Sequence, residues 1–341
     1  MKILIATDAW KPQVNGVVAT LGHLAEEAAG LGAEIEFVTP AEFRTLPLPN
    51  YPEVRLSLVP PGAMERRLDA IKPDAIHIAT EGPVGSAMRR LASRRGLSFT
   101  TSFHTRFPDY IAERLPVPRQ WTEALAWRWL RDFHGRSAAV MAATPTLAAE
   151  LTARHFPNVK LWPRGVDAAL FRPRGTDLGC KRPVFLTVGR LAVEKNLPAF
   201  LSLDLPGTKV VVGNGPARAS LERQFPDAVY LGAQRGGRLA EIYAAADVFV
   251  IPSRTDTYGL VLLEALASGV PVAAFPVTAP RDVIGTAPVG VLDEDLRRAC
   301  FDALQLSRTD CRAFAEMLTW RRSAEAFLSH VTQARQNRLA A

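Results

Sequence analysis

Short apolar runs alternate with helical patterns along the whole chain, and the alternation starts twice. In the first half, Ile3–Thr7, Ile35–Val38, Ala75–Ala79, Phe99–Ser102 and Ala138–Ala143 read as strands. Val18–Ala29, Val84–Arg95 and Arg119–Phe133 read as helices between them. The pattern restarts with strands at Val184–Val188, Lys209–Val212, Val229–Leu231, Val248–Ile251 and Val272–Ala274. Helices at Glu194–Leu203, Arg218–Gln224, Arg238–Ala245 and Leu260–Ala267 accompany them. Near-continuous Val, Ile and Leu strands alternating with helices predict parallel sheets covered on both faces. A chain of 341 residues exceeds one ordinary core. The expected fold is therefore α/β, with two doubly wound, Rossmann-like domains facing a cleft. The restart follows Trp162–Asp167 and a Pro-, Gly- and Arg-rich piece, so the linker falls near residues 165–182. The expected division is 1–165, 166–319 and a closing helix within 320–341.

Hydrophobic residues make up 48% and charged residues 22%, which excludes disordered and fibrous classes. The net charge of +7 suits a phosphorylated substrate, an anionic membrane or nucleic acid. No run of five like charges occurs, so no nucleic-acid partner is expected. Three cysteines without a C-x-x-C pair argue against a disulfide framework or zinc site and fit a cytoplasmic protein. No stretch of 18 apolar residues appears, so any membrane contact is expected to be peripheral.

Ligands of doubly wound sheets bind beyond the carboxyl ends of the strands. The first strand–helix turn carries Asn15-Gly16, whose tight turn before a helix start suits a phosphate or an ordinary connection. In the second half, Arg190 and Lys195 share one strand–helix loop. Two cations there suit a diphosphate leaving group, and they would be unfavourable at a helix start otherwise. Asp256 follows the strand ending at Ile251, Gly259 opens the next helix, and Glu264 lies inside it. The loop carboxylate can reach a sugar, the helix-start amides a phosphate, and Glu264 a ribose diol. The plainer reading makes Asp256 an N-cap and Glu264 a surface charge, but apolar Leu262, Leu263 and Ala265 flank Glu264.

The stretch from Asp256 to Glu264, followed by Ala265-Leu266-Ala267-Ser268-Gly269-Val270-Pro271-Val272, resembles the E-x7-E motif of retaining glycosyltransferase family 4. Val188-Gly189-Arg190-Leu191 with Glu194-Lys195-Asn196 resembles that family's donor-phosphate motif. Val212–Pro216, Ala246–Val248 and Asn15–Val17 match in order as well. Asp256 departs from the family's Glu and sets its carboxylate one methylene further back. The resemblance implies a GT-B architecture, retention, no metal or cofactor, and a UDP- or GDP-linked sugar as donor. It assigns Arg190 and Lys195 to the diphosphate. Gly16 and the amides of Gly259, Leu260 and Val261 would close around it. Glu264 would hold the ribose and Asp256 the hexose. His104, after a first-half strand, matches the histidine near the reaction centre, so His104, Asp256, Arg190 and Lys195 form the expected catalytic set.

The resemblance leads to a membrane lipid as acceptor, such as diacylglycerol or a phospholipid. Between Arg119 and Arg136, Trp121, Leu125 and Trp129 recur at helical spacing among arginines. That composition suits a helix lying in an anionic lipid interface at the inner face of the cytoplasmic membrane. A helix packed on its own sheet is the other reading. A soluble sugar or lipopolysaccharide core remains an alternative acceptor. An epimerase or phosphorylase of the same architecture and a non-catalytic binding protein are the alternatives outside transfer. With only seven lysines, a phosphorylase's cofactor lysine is hard to place.

Overall fold

The computed structural model describes residues 1–13, 15–48, 51–104, 119–254 and 258–339. The chain divides into two compact units, Met1–Pro163 with Trp320–Ala341, and Arg164–Thr319.

The first unit runs β1 (Lys2–Ala6), α1 (Gly16–Gly30), β2 (Glu34–Val38), β3 (Arg44–Leu48), β4 (Tyr51–Leu58), α2 (Ala63–Ile71), β5 (Ala75–Ile78) and α3 (Pro83–Arg94). It continues with β6 (Thr100–Phe103), α4 (Arg119–His134), β7 (Ala139–Ala142), α5 (Pro145–Ala153) and β8 (Val159–Leu161). Among the described residues the sheet order is β2-β1-β5-β6-β7-β8, every pair parallel. Order reverses between β1 and β5, so a crevice opens at their carboxyl ends. One face packs Leu4, Ile78, Met88 and Phe133. The other packs Ile3, Ile5, Leu24 and Trp162 against Ala324, Phe327 and Val331.

The second unit runs β9 (Val184–Val188), α6 (Leu197–Leu201), β10 (Thr208–Val212), α7 (Arg218–Gln224), β11 (Val229–Tyr230), α8 (Gly236–Ala245) and β12 (Val248–Ile251). Then follow α9 (Leu260–Ala267), β13 (Val272–Ala274), α10 (Thr278–Ile284), β14 (Gly290–Leu292), α11 (Leu296–Ala303) and α12 (Arg308–Glu316). The second sheet is also parallel, in the order β11-β10-β9-β12-β13-β14, with three strands instead of two on the near side of its reversal, which falls between β9 and β12. Successive strand residues point to opposite faces. Leu186, Val210 and Phe249 therefore serve one core and Phe185, Val211 and Val250 the other. Each such fully buried side chain contributes about 1.5–3 kcal/mol relative to exposure.

Helix α13 (Trp320–Leu339) returns to the first unit. Trp162 Nε1 donates to Ser323, His330 bonds the Leu161 carbonyl, and Arg335 pairs with Asp74. Trp320 stacks on His23 of α1 with ring centroids 4.8 Å apart.

Two local expectations change. The helix expected over Glu194–Leu203 is split into a 3-10 turn, Val193–Lys195, and α6, because Asn196 takes a left-handed φ of 49°. Lys195 therefore ends a turn instead of opening a helix. Asn15-Gly16 is no tight turn either. Asn15 is extended (φ −154°), and its side chain caps α1 by accepting from Val17 N and Val18 N, both at 3.0 Å.

Candidate active site

The loops after β9 and β10 interlock by main-chain bonds, and side-chain bonds tie the loop after β12 to the first of them. Gly189 N donates to Val212 O at 3.0 Å, and Leu191 N to Asn214 O at 2.9 Å. Gly213 adopts a φ of +137°, and a Cβ there would stand 1.8 Å from Gly189 O. No side chain fits, so the glycine-rich end of β10 is what lets the two loops touch. Across the reversal of strand order, Ser253 Oγ donates to Glu194 O at 3.3 Å and Asn196 Nδ2 to Pro252 O at 3.0 Å.

On this frame stand Arg190 and Lys195, both half-buried. Arg190 is ion-paired with Glu194 four residues on, which holds the guanidinium in one place. Sequence reading kept Glu194 only as part of a motif, although the i,i+4 spacing signalled the pair. Gly259 precedes α9 at φ +76°, a left-handed conformation that a glycine adopts without strain. The first-turn amides of α9 lack acceptors inside the helix and project from its start. Gly259, Leu260 and Val261 are each half-buried there. Asp256 lies outside the described residues.

Glu264 is half-buried on α9. Its Oε2 accepts from the Tyr243 hydroxyl at 2.9 Å. Burial pushes its carboxyl up to about 7, against the Tyr243 hydrogen bond, which lowers it. Arg164, at the start of the unit, is 4% exposed. Burial brings its guanidinium down to about 10. The Tyr258 hydroxyl donates to the Arg164 carbonyl at 3.3 Å. Sequence reading singled out neither Tyr243 nor Arg164. Arg190 and Lys195 thus follow β9 and the α9 start follows β12, its neighbour where strand order reverses, with Glu264 about one turn into α9.

In the first unit, Gly16 is exposed at the start of α1, after β1. His104 is half-buried just past β6, edge-on to Trp162 at 5.8 Å. Asp8, also missed, ties the loop after β1 to the start of α3. Its carboxylate accepts from Val84 N at 2.8 Å, Gly85 N at 3.1 Å and Thr80 Oγ1 at 2.9 Å. Burial raises its carboxyl above the ordinary range.

Helix α4 packs one face on its own unit and leaves the other exposed. Trp127, Leu130 and Phe133 are buried in the unit, and Arg154 lies over the Trp127 ring at 3.9 Å. Trp121, Leu125 and Trp129 face outward, 74%, 69% and 43% exposed. Arg128, Arg131 and Arg136 are exposed beside them. Among the described residues, no helix is long and apolar enough to cross a membrane. No cluster of three or more His, Cys, Asp or Glu side chains could hold a metal ion among them.

Comparison with known proteins adds the lineage. Residues 14–170 match the family model described as Glycosyltransferase Family 4, and residues 182–306 match Glycosyl transferases group 1. A GDP-mannose-dependent alpha-mannosyltransferase of Mycobacterium tuberculosis is 32% identical over 318 residues, covering 86% of this chain and 83% of that protein. An alpha-monoglucosyldiacylglycerol synthase of Streptococcus pneumoniae is 25% identical over 350 residues, covering 89% and 78%. The sucrose-phosphate synthase structure from Thermosynechococcus elongatus superposes with a TM-score of 0.78 at 18% identity, over 100% of both chains. The chain belongs to glycosyltransferase family 4 and is a retaining glycosyltransferase of GT-B fold.

Proposed function

We propose that the chain moves a hexose from a nucleoside-diphosphate sugar to a hydroxyl of a membrane lipid. What supports this most is that Arg190 and Lys195 follow β9 while the α9 start, with Glu264 about one turn in, follows β12, the neighbouring strand at the reversal of order. Arg190 and Lys195 meet the diphosphate, whose negative charge grows as the glycosidic bond breaks. The α9 amides close on the same phosphates. Glu264 accepts from the ribose diol. Asp256 takes the hexose hydroxyls and His104 serves the reaction centre. Retention follows from attack on the face the leaving group vacates, with the departing phosphate taking the acceptor's proton. Charge on the diphosphate is met by side chains, so no metal is required.

The relatives support both ends of the reaction. The mycobacterial relative is named for GDP-mannose, which favours guanosine as the base and mannose as the sugar. The streptococcal relative is named for a glucosylated diacylglycerol, which favours a glycerolipid acceptor. The Gly232-Ala233-Gln234-Arg235 loop, which follows β11, is where the base would stack. The test is a melting transition recorded without added metal in the presence of GDP and, separately, UDP. At about 100 times its dissociation constant the correct nucleotide adds roughly 2.7 kcal/mol of stability. A shift with GDP alone selects a mannosyl-type donor and a shift with UDP alone a glucosyl-type one. No shift with either removes the donor assignment.

The outward face of α4 supports a peripheral contact with the inner face of the cytoplasmic membrane. Three large apolar side chains stand in water there, ringed by arginines, and an anionic lipid surface satisfies both. Co-sedimentation with phosphatidylglycerol vesicles at low salt should retain the protein. Changing Trp121, Leu125 and Trp129 together to serine should release most of it. Equal retention of both proteins would clear α4 of this role.

A further inference from the structure

The tyrosine behind Glu264 has no part in the function proposed above. Tyr243 is 0% exposed, the second-largest of the fully buried side chains. Its ring is wedged edge-on to Phe171, at 5.7 Å, and tilted on Phe249, at 5.5 Å. A ring so held cannot swing away, so the hydroxyl has one direction in which to donate. That direction ends on Glu264 Oε2 at 2.9 Å. A buried phenol that neither met water nor a partner would be costly, and this one is spent wholly on the carboxylate.

We infer that Tyr243 is a positioning residue of the donor site. Its hydroxyl pins one oxygen of Glu264, leaves the other for the ribose diol, and favours the ionised form that a diol needs as acceptor. The inference rests on the assignment of Glu264 to the donor's ribose. A half-buried carboxyl on an apolar helix tends to keep its proton, and a protonated carboxyl accepts fewer hydrogen bonds from a diol. Burial does raise Glu264, and the Tyr243 hydrogen bond opposes it. Tyr243 itself is pushed well above its ordinary value, so it stays a donor through the neutral range.

Other charged groups around α9 are committed elsewhere. From α12, Arg312 Nη1 donates to the carbonyls of Phe171 and Ala267 at 2.7 and 2.8 Å. Arg308 donates to Ala246 O and Ala244 O, and Cys311 to Val289 O. From α8, Glu241 pairs with Arg238. The strands β12 and β13 bring no titratable side chain.

The experiment titrates GDP and UDP by calorimetry into the full chain, Tyr243→Phe and Glu264→Gln, from pH 6 to pH 9. Phenylalanine keeps the ring and its packing and removes only the hydroxyl. Loss of one hydrogen bond to a charged group should raise the Glu264 midpoint by about one pH unit. Tyr243→Phe should then bind the nucleotide about fivefold more weakly at pH 7 and within about twofold of the native protein at pH 9. Taking the ratio of variant to native at each pH cancels the nucleotide's own ionisation. A loss of the same size at every pH, or no loss, while Glu264→Gln weakens binding, overturns the role of Tyr243. Unchanged binding by Glu264→Gln instead overturns the ribose assignment beneath it.

Discussion

Replacing Lys195 by alanine is expected to lower kcat by about 10²- to 10³-fold, the loss typical when one preorganised stabiliser of developing charge is removed. The effect should be chemical, not structural. The turn carrying Lys195 is fixed by Ser253 on Glu194 O and by Asn196 on Pro252 O, and neither bond uses the ammonium. Arg190 remains in place through its pair with Glu194, so the diphosphate would keep one of its two cations. The native chain and Lys195→Ala should be compared in initial rates with GDP-mannose and with UDP-glucose, alongside binding of GDP and GMP. The variant should lose affinity for GDP and keep its affinity for GMP. Unchanged turnover would remove Lys195 from the site.

Glu264→Gln should act in opposite directions on binding and on stability. Two hydrogen bonds to an ionised acceptor are exchanged for weaker ones to an amide. The nucleotide should therefore bind roughly ten- to a hundredfold more weakly. Without ligand, the same change should stabilise the fold at high pH. The carboxyl titrates at 4.5 when free and at about 7 in the fold. Between those values the folded state holds a proton that the unfolded state has released, so stability falls as pH rises through that window. Above pH 7 the native chain carries the whole cost of an ionised buried carboxylate, about 3 kcal/mol. Glutamine carries none of it. The melting temperature of Glu264→Gln should exceed the native one by several degrees at pH 8 and match it near pH 4.5. A difference independent of pH would mean that the carboxyl is not strained by burial.

The strands were the legible part of this fold. Val184–Val188, Val248–Ile251 and Val272–Ala274 appear where the apolar runs placed them, because strands buried on both faces have no polar positions to blur their ends. The β3–β4 hairpin was not legible. Its leucines point outward, with Leu46 and Leu58 56% and 51% exposed, so its alternation runs against the usual rule. The helix expected over Glu194–Leu203 failed at one residue, Asn196, whose left-handed backbone no periodicity records. Of the proposed site residues, Arg190 and Lys195 were singled out by residue type in a post-strand loop, and Glu264 by its apolar neighbours inside a helix. Tyr243 was not, since 21 positions separate it from Glu264 and only the packing of α8 on α9 joins them. Asp8 escaped for the same reason, with its partners at Thr80, Val84 and Gly85.

The return of α13 to the first unit sets an order on synthesis. The second unit is one unbroken stretch, Arg164–Thr319, and can complete its core as soon as it clears the ribosome. The first unit cannot, although it is made first. Ile3, Ile5 and Leu24 share their core with Phe327 and Val331, which are translated more than three hundred residues after Ile3. Until then that face of the leading sheet is covered only in part, by Leu21, Leu24 and Ala28 of α1, and Trp162 lacks the Ser323 acceptors for its indole N–H. Of the two units, the one that emerges first is thus the one that finishes last, and its apolar face depends on α13 for shelter.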